Sequence, residues 1–132
     1  MTAERHPAPV APLGWVEDNI KYALSYVPPK KLILSLAAYG YDWCAKGSGA
    51  EPLGTGQAVA RAAKYSSRVL WDRDSCTSYF EYYKDGCRHQ VFFEDSKSAA
   101  FKVALAKKHK LTGIAYWRLG YENPNYFKVL NN

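Results

Sequence analysis

Two stretches decide the fold: Lys30-Lys31-Leu32-Ile33-Leu34-Ser35-Leu36-Ala37-Ala38-Tyr39 and Leu111-Thr112-Gly113-Ile114-Ala115-Tyr116-Trp117. Both are nearly unbroken apolar runs of strand length. Such a run is expected where a strand is buried on both faces, as in a parallel sheet covered by helices. Pro28-Pro29 precedes the first run and stops a helix predicted over 15–27. In that helix Val16, Ile20, Ala23, Leu24 and Val27 recur at helical spacing. Glu17 and Asp18 are expected in its first turn, where negative charge is favoured. Asp95 or Ser96 is expected to cap a second long helix, reaching about residue 110 and leading into the second run.

Between the two runs the periodicity changes. Residues 44–55 are small, polar and Gly-rich and read as a loop, and a short Ala-rich helix is predicted over 57–65. Three strand-like pieces follow, at 68–72, 78–84 and 88–93. Lys84-Asp85-Gly86 is a turn signal, so the last two pieces are expected to pair as an antiparallel hairpin. Residues 1–14 carry Pro7, Pro9 and Pro12 and read as an extended loop, and a final helical segment is predicted over 125–130.

Composition narrows the function classes. The chain has 132 residues, 48% of them hydrophobic and 23% charged, which fits a globular domain with a real core. No apolar run approaches the ~20 residues of a membrane span, and the first residues lack a signal peptide's apolar core. The net charge of +6 comes from Lys and Arg spread along the chain. The aromatics fall in apolar, strand-like segments rather than among basic residues, so nucleic acid is not expected as a partner. Cys44, Cys76 and Cys87 leave one thiol unpaired in any pairing, and the sequence does not place a disulfide. Cys87-Arg88-His89 with Cys76 is the nearest thing to a metal site, but no pair has C-x₂-C spacing, and the residues read as ordinary thiols.

Without the middle segment, the order helix, strand, helix, strand, helix looks like the closing quarter of a (β/α)₈ barrel. Several residue groups carry a closer resemblance. They are Pro9-Val10-Ala11-Pro12 with Trp15-Val16-Glu17, Lys31-Leu32-Ile33-Leu34 running into Tyr39-Gly40-Tyr41-Asp42-Trp43, Leu70-Trp71-Asp72, His89-Gln90-Val91-Phe92-Phe93-Glu94-Asp95, and Gly113-Ile114-Ala115-Tyr116-Trp117-Arg118-Leu119-Gly120. In this order they resemble the C-terminal part of glycoside hydrolase family 18, the chitinase-like enzymes, and within it the bacterial spore cortex-lytic N-acetylglucosaminidase branch. The resemblance implies an α/β fold: the last strands and helices of a TIM barrel with a small α+β insertion. It divides the chain into a barrel segment at 1–43, the insertion at 44–95 and a second barrel segment at 96–132.

It also implies chemistry. The family acts on β-1,4 bonds in N-acetylglucosamine polymers, chitin or peptidoglycan, with no cofactor and no metal. Its signature, Asp-x-x-Asp-x-Asp-x-Glu, supplies the proton donor and does not occur in this sequence. No catalytic residue is therefore assigned, and the chain alone is expected to be inactive. Trp117 corresponds to the tryptophan that floors the sugar subsite beside the scissile bond. An indole suits this role because it matches the apolar C–H face of a pyranose. Tyr39 and Tyr41 flank Gly40 at the end of the first strand, and one of the two is expected to line the cleft. Glu4 stands where the family has the acid of Met-x-Tyr-Asp, with Ala3 in place of the Tyr. Arg118 and Glu122 follow Trp117 and are expected either to bind sugar hydroxyls or to tie the insertion to the barrel. A non-catalytic sugar-binding module and a barrel-completing subunit remain as alternatives. In the latter case an N-terminal barrel segment or a second copy is expected to cover the exposed sheet edges. A cell-wall, spore-associated or extracellular location is what the resemblance implies.

Overall fold

A computed structural model describes residues 6–47, 49–122 and 124–129. Helix α1 (Leu13–Leu24) leads into strand β1 (Ile33–Ala37), and β2 (Tyr39–Cys44) follows after a single residue. Next come β3 (Ala50–Gly54), α2 (Thr55–Lys64), β4 (Leu70–Asp72), β5 (Thr77–Lys84) and β6 (Cys87–Phe93). The chain then forms α3 (Ser96–Lys108), β7 (Gly113–Trp117) and a 3₁₀ turn (Tyr126–Val129). Among the described residues there are two sheets. One is the parallel pair β1–β7, and the other has five strands in the order β3-β2-β6-β5-β4.

The parallel pairing expected of the two apolar runs is present, with Ile33 opposite Gly113 and Ala37 opposite Trp117. Leu34, Leu36, Ile114 and Tyr116 turn toward Ala99 and Val103 of α3, and Tyr126 closes this core from below. The opposite face departs from expectation. Ile33 is 55% exposed and Ser35, Ala115 and Trp117 are also exposed, so these strands are buried on one face only. An apolar residue on both faces requires a layer on both faces, and no described residue covers the second. The described residues are a mixed α/β piece without a closed barrel.

The five-stranded sheet begins at Tyr39. Its β5–β6 hairpin is the predicted one, and Asp85 and Gly86 both have positive φ, the conformation that matches the twist of a two-residue hairpin. Leu53, Phe80, Tyr82, Val91 and Phe93 pack on Ala58 and Ala62 of α2. Phe80, Tyr82 and Phe93 of the hairpin therefore form core, with Tyr83 left 71% exposed. Strand β3 corrects the reading of 44–55 as loop. It pairs antiparallel with β2 at the sheet edge, where Pro52 can sit without breaking a ladder on both sides.

Helix α1 starts at Leu13 rather than 15 and ends at Leu24 rather than 27. Tyr26 and Val27 still donate to Ala23 O, but as a turn, because Pro28 disfavours helix at the residue before it. The earlier start also moves Glu17 and Asp18 out of the first turn. Asp95 caps α3 as expected, accepting from Ser98 N at 3.0 Å.

Four backbone hydrogen bonds join the segment carrying the five-stranded sheet and α2 to α1, the parallel pair and the loop after β7. Leu13 N donates to Ser75 O at 2.9 Å. Ala38, fully buried, donates its N–H to Trp117 O at 2.7 Å and accepts from Thr55 N at 3.0 Å. Gly56 N donates to Tyr121 O at 3.0 Å.

Candidate functional site

Trp117 ends β7 and is 63% exposed, its side chain on the open face of the parallel pair. It lines a groove of about 430 Å³ whose walls are α1, with Trp15, Asn19 and Ile20, and β1 with Tyr39 beyond its end. A strand end is where a side chain can project past the sheet into such an opening, and in parallel α/β folds this end faces the ligand. Tyr39 is half-buried. Burial raises its phenol pKa, with Tyr41 and Glu94 adding to the effect, so the hydroxyl stays protonated as a hydrogen-bond donor.

Tyr39 and Tyr41 lie on the same side of β2, with ring centroids 6.1 Å apart, and Trp43 continues the row at 6.2 Å from Tyr41. Alternation was expected to turn the two tyrosines to different sides, and that is corrected here, although a single one of them lines the groove as expected. Residues two apart on a strand share a face, and the intervening Gly40 is the one that points away. Of these three rings only Tyr39 lines the groove with Trp117. Glu4 lies outside the described residues.

Arg118 Nη2 donates to Tyr121 Oη at 2.7 Å, and its guanidinium lies 4.2 Å from the centre of that ring. Glu122 accepts from Gly120 N at 2.7 Å, and its pKa is lowered by backbone N–H groups of its own loop. Tyr121 in turn lies against Gly54, where an added Cβ would come within 2.8 Å of Tyr121 Cα. Both side chains therefore make hydrogen bonds within the loop that follows Trp117.

Two buried charged groups escaped the sequence reading. Glu94 and Lys102 form an ion pair with side chains 1% and 4% exposed, beneath the groove that Lys102 also lines. Burial raises the Glu94 pKa despite the ammonium beside it. Asp42 is a buried hub. It accepts from Arg61 Nη1 at 2.5 Å and from the Tyr82 hydroxyl, and His89 Nδ1 is 2.7 Å away. A lone Asp inside the aromatic run Tyr39–Trp43 was the available signal, since a strand residue facing a core needs buried donors. His109 is 15% exposed and contacts Glu17 at 3.0 Å.

Comparison with known proteins decides the family. A model of the glycosyl hydrolases family 18 matches residues 2–122. The chain belongs to glycoside hydrolase family 18. It is 34% identical over 131 residues to the cortical fragment-lytic enzyme of Bacillus subtilis (strain 168), covering 96% of this chain and 30% of that protein. The crystal structure of the Bacillus cereus spore cortex-lytic enzyme SleL superposes with a TM-score of 0.90 at 30% identity, over 98% of this chain and 32% of that one. A chitinase from Chromobacterium violaceum superposes with a TM-score of 0.87 at 31% identity, over 99% of this chain and 43% of that one. The chain thus spans about 30% of the length of the cortical fragment-lytic enzymes it matches. Its neighbours imply a TIM-barrel-like parent fold, of which the described residues are an unclosed part.

Proposed function

We propose that this chain is the C-terminal part of a family 18 glycosidase acting on β-1,4-linked N-acetylglucosamine polymers, chitin or peptidoglycan. It contributes the sugar-stacking wall of the cleft and not the catalytic acid. The observation that carries this reading is the placement of Trp117: an exposed indole at a strand end, at a groove it shares with Tyr39. In this reading Trp117 stacks on the pyranose, Tyr39 donates to a sugar oxygen, and Tyr41 packs behind Tyr39. Arg118 holds the Trp117 loop through Tyr121. Glu4 remains a substrate-binding candidate on the place it occupies in the sequence. Segments 1–43 and 96–132 are the barrel parts and 44–95 the insertion, with Tyr39–Cys44 running across the first boundary. No step of this reading requires a cofactor or metal.

The absence of Asp-x-x-Asp-x-Asp-x-Glu from the sequence supports an inactive isolated chain, because a general acid contributes ~10²–10⁴-fold and nothing here replaces it. The test uses chitooligosaccharides and spore-cortex fragments. Binding should quench tryptophan fluorescence and weaken at least tenfold in Trp117→Ala, with no bond cleaved. Turnover by the chain alone, or affinity unchanged by Trp117→Ala, would sink the proposal. The exposed face and free edge of β1 favour one second reading, in which a separate polypeptide supplying N-terminal strands completes the barrel. A monomeric mass that stays unchanged when such a segment is added would argue against it.

A further inference from the structure

Cys44 and Cys87 are joined by a disulfide, with Cα atoms 6.0 Å apart, while Cys76 is free. Cys44 sits opposite His89 in the antiparallel β2–β6 register, and Cys87 is two residues before His89 on the same strand. All three side chains therefore share one face, and their ligand atoms lie within 4.8 Å of one another. The imidazole is held from two sides. Its Nδ1 faces the buried Asp42 carboxylate at 2.7 Å, and its ring stacks on Tyr82 at 4.6 Å between centroids. A carboxylate only accepts, so Nδ1 donates to it and Nε2 is the ring nitrogen left to take a ligand. A carboxylate behind the far nitrogen is the arrangement that orients histidine ligands of metals.

We propose that Cys44, Cys87 and His89 form a two-state site: a disulfide under oxidising conditions and, once a dithiol reductant has opened it, a binding site for one soft divalent cation of the zinc class. The balance is simple. The reductant gives two electrons and two protons and becomes a disulfide, while Cys44 and Cys87 become thiols. The cation then displaces both thiol protons to solvent and takes two thiolates and the neutral Nε2, with water in the fourth position. Metal–sulfur bonds of ~2.3 Å in a tetrahedron put the sulfurs roughly 3.8 Å apart. Rotation about χ1 of each cysteine can supply that separation from the present Cα positions. Cys44 and His89 are partly exposed, while Cys87 is buried beside them.

The test titrates the reduced, metal-free full chain with Co²⁺ and Zn²⁺ in the absence of oxygen. One equivalent of cobalt should bind, with a thiolate-to-cobalt charge-transfer band. Zinc should protect Cys44 and Cys87, but not Cys76, from alkylation and should shift the ¹⁵N resonance of His89 Nε2. These readouts need no substitution, so they stand even where a variant fails to fold. Cys76→Ser should bind as wild type does, His89→Ala should bind at least tenfold more weakly, and Asp42→Asn roughly 10–100-fold more weakly. The proposal is overturned by no charge-transfer band in reduced protein, by an equal signal from the disulfide form, or by binding that disappears with Cys76→Ser.

Discussion

Replacing Lys102 by Met should be among the most damaging single changes in this chain, and the damage should depend on pH. Lys102 and Glu94 are 4% and 1% exposed, so water cannot take over the role of a lost partner. Breaking such a pair leaves an uncompensated buried charge and costs about 3–5 kcal/mol. For a domain of this size that is a fall in Tm of about 10–25 °C. The sign of the pH effect follows from the direction of the Glu94 shift. Burial raises its folded pKa above the unfolded value, so the native state holds the proton more tightly than the unfolded chain does. The stability from that proton is fully present below the unfolded pKa and is lost as pH rises through the folded one. Removing the ammonium raises the folded value further, so Lys102→Met should be near its best in mild acid and worst at neutral pH. The double variant Glu94→Gln with Lys102→Met, which buries no charge, should return to wild-type stability or exceed it. Urea unfolding followed by circular dichroism at both pH values measures all three proteins. A neutral-pH loss below about 1 kcal/mol for Lys102→Met, or an equal loss in acid, would refute the reasoning.

Other expectations test separate parts of the molecule. Lys108 and then His109 hold the Glu17 pKa down at about 2, from 4.5. The stabilisation it gives α1 against α3 should be present above the unfolded pKa and fade as pH falls through the folded one. Glu17→Gln should therefore lower Tm at neutral pH and leave it unchanged in strong acid. Gly54→Ala drives a Cβ to 2.8 Å from Tyr121 Cα and should cost about 1–3 kcal/mol. The same change should weaken sugar binding by loosening the loop after Trp117, which calorimetry with chitooligosaccharides would detect. Phe80 is fully buried between the five-stranded sheet and α2, so Phe80→Ala should cost about 3–5 kcal/mol in urea unfolding.

The sequence revealed most where local pattern and global role coincide. The two apolar runs, the Asp95 cap and the Asp85-Gly86 hairpin turn could be read because each depends on a few adjacent residues. Strand β3 could not, because Ala50-Glu51-Pro52-Leu53-Gly54 has weak strand preference and becomes a strand only by pairing with β2. The charged hubs were hidden for the same reason. Asp42 finds its partners at Arg61, Tyr82 and His89, and Glu94 finds Lys102 on the next helix, distances in sequence that no motif spans. For the candidate site, Trp117 was legible as an aromatic at a strand end. The facing of Tyr39 with Tyr41 was open to reading from alternation alone. The bracing of Arg118 by Tyr121 needed the loop's actual path.

Ala38 joins the two sheets without a linker, its N–H bound to one and its C=O to the start of α2. Anyone wishing to transplant the five-stranded sheet into another protein therefore has no neutral place to cut beside it. A junction at Ala38 would sever both bonds at once. Chimeras should instead be spliced upstream of Ile33 and downstream of Trp117, so that the parallel pair travels with the five-stranded sheet as one cassette.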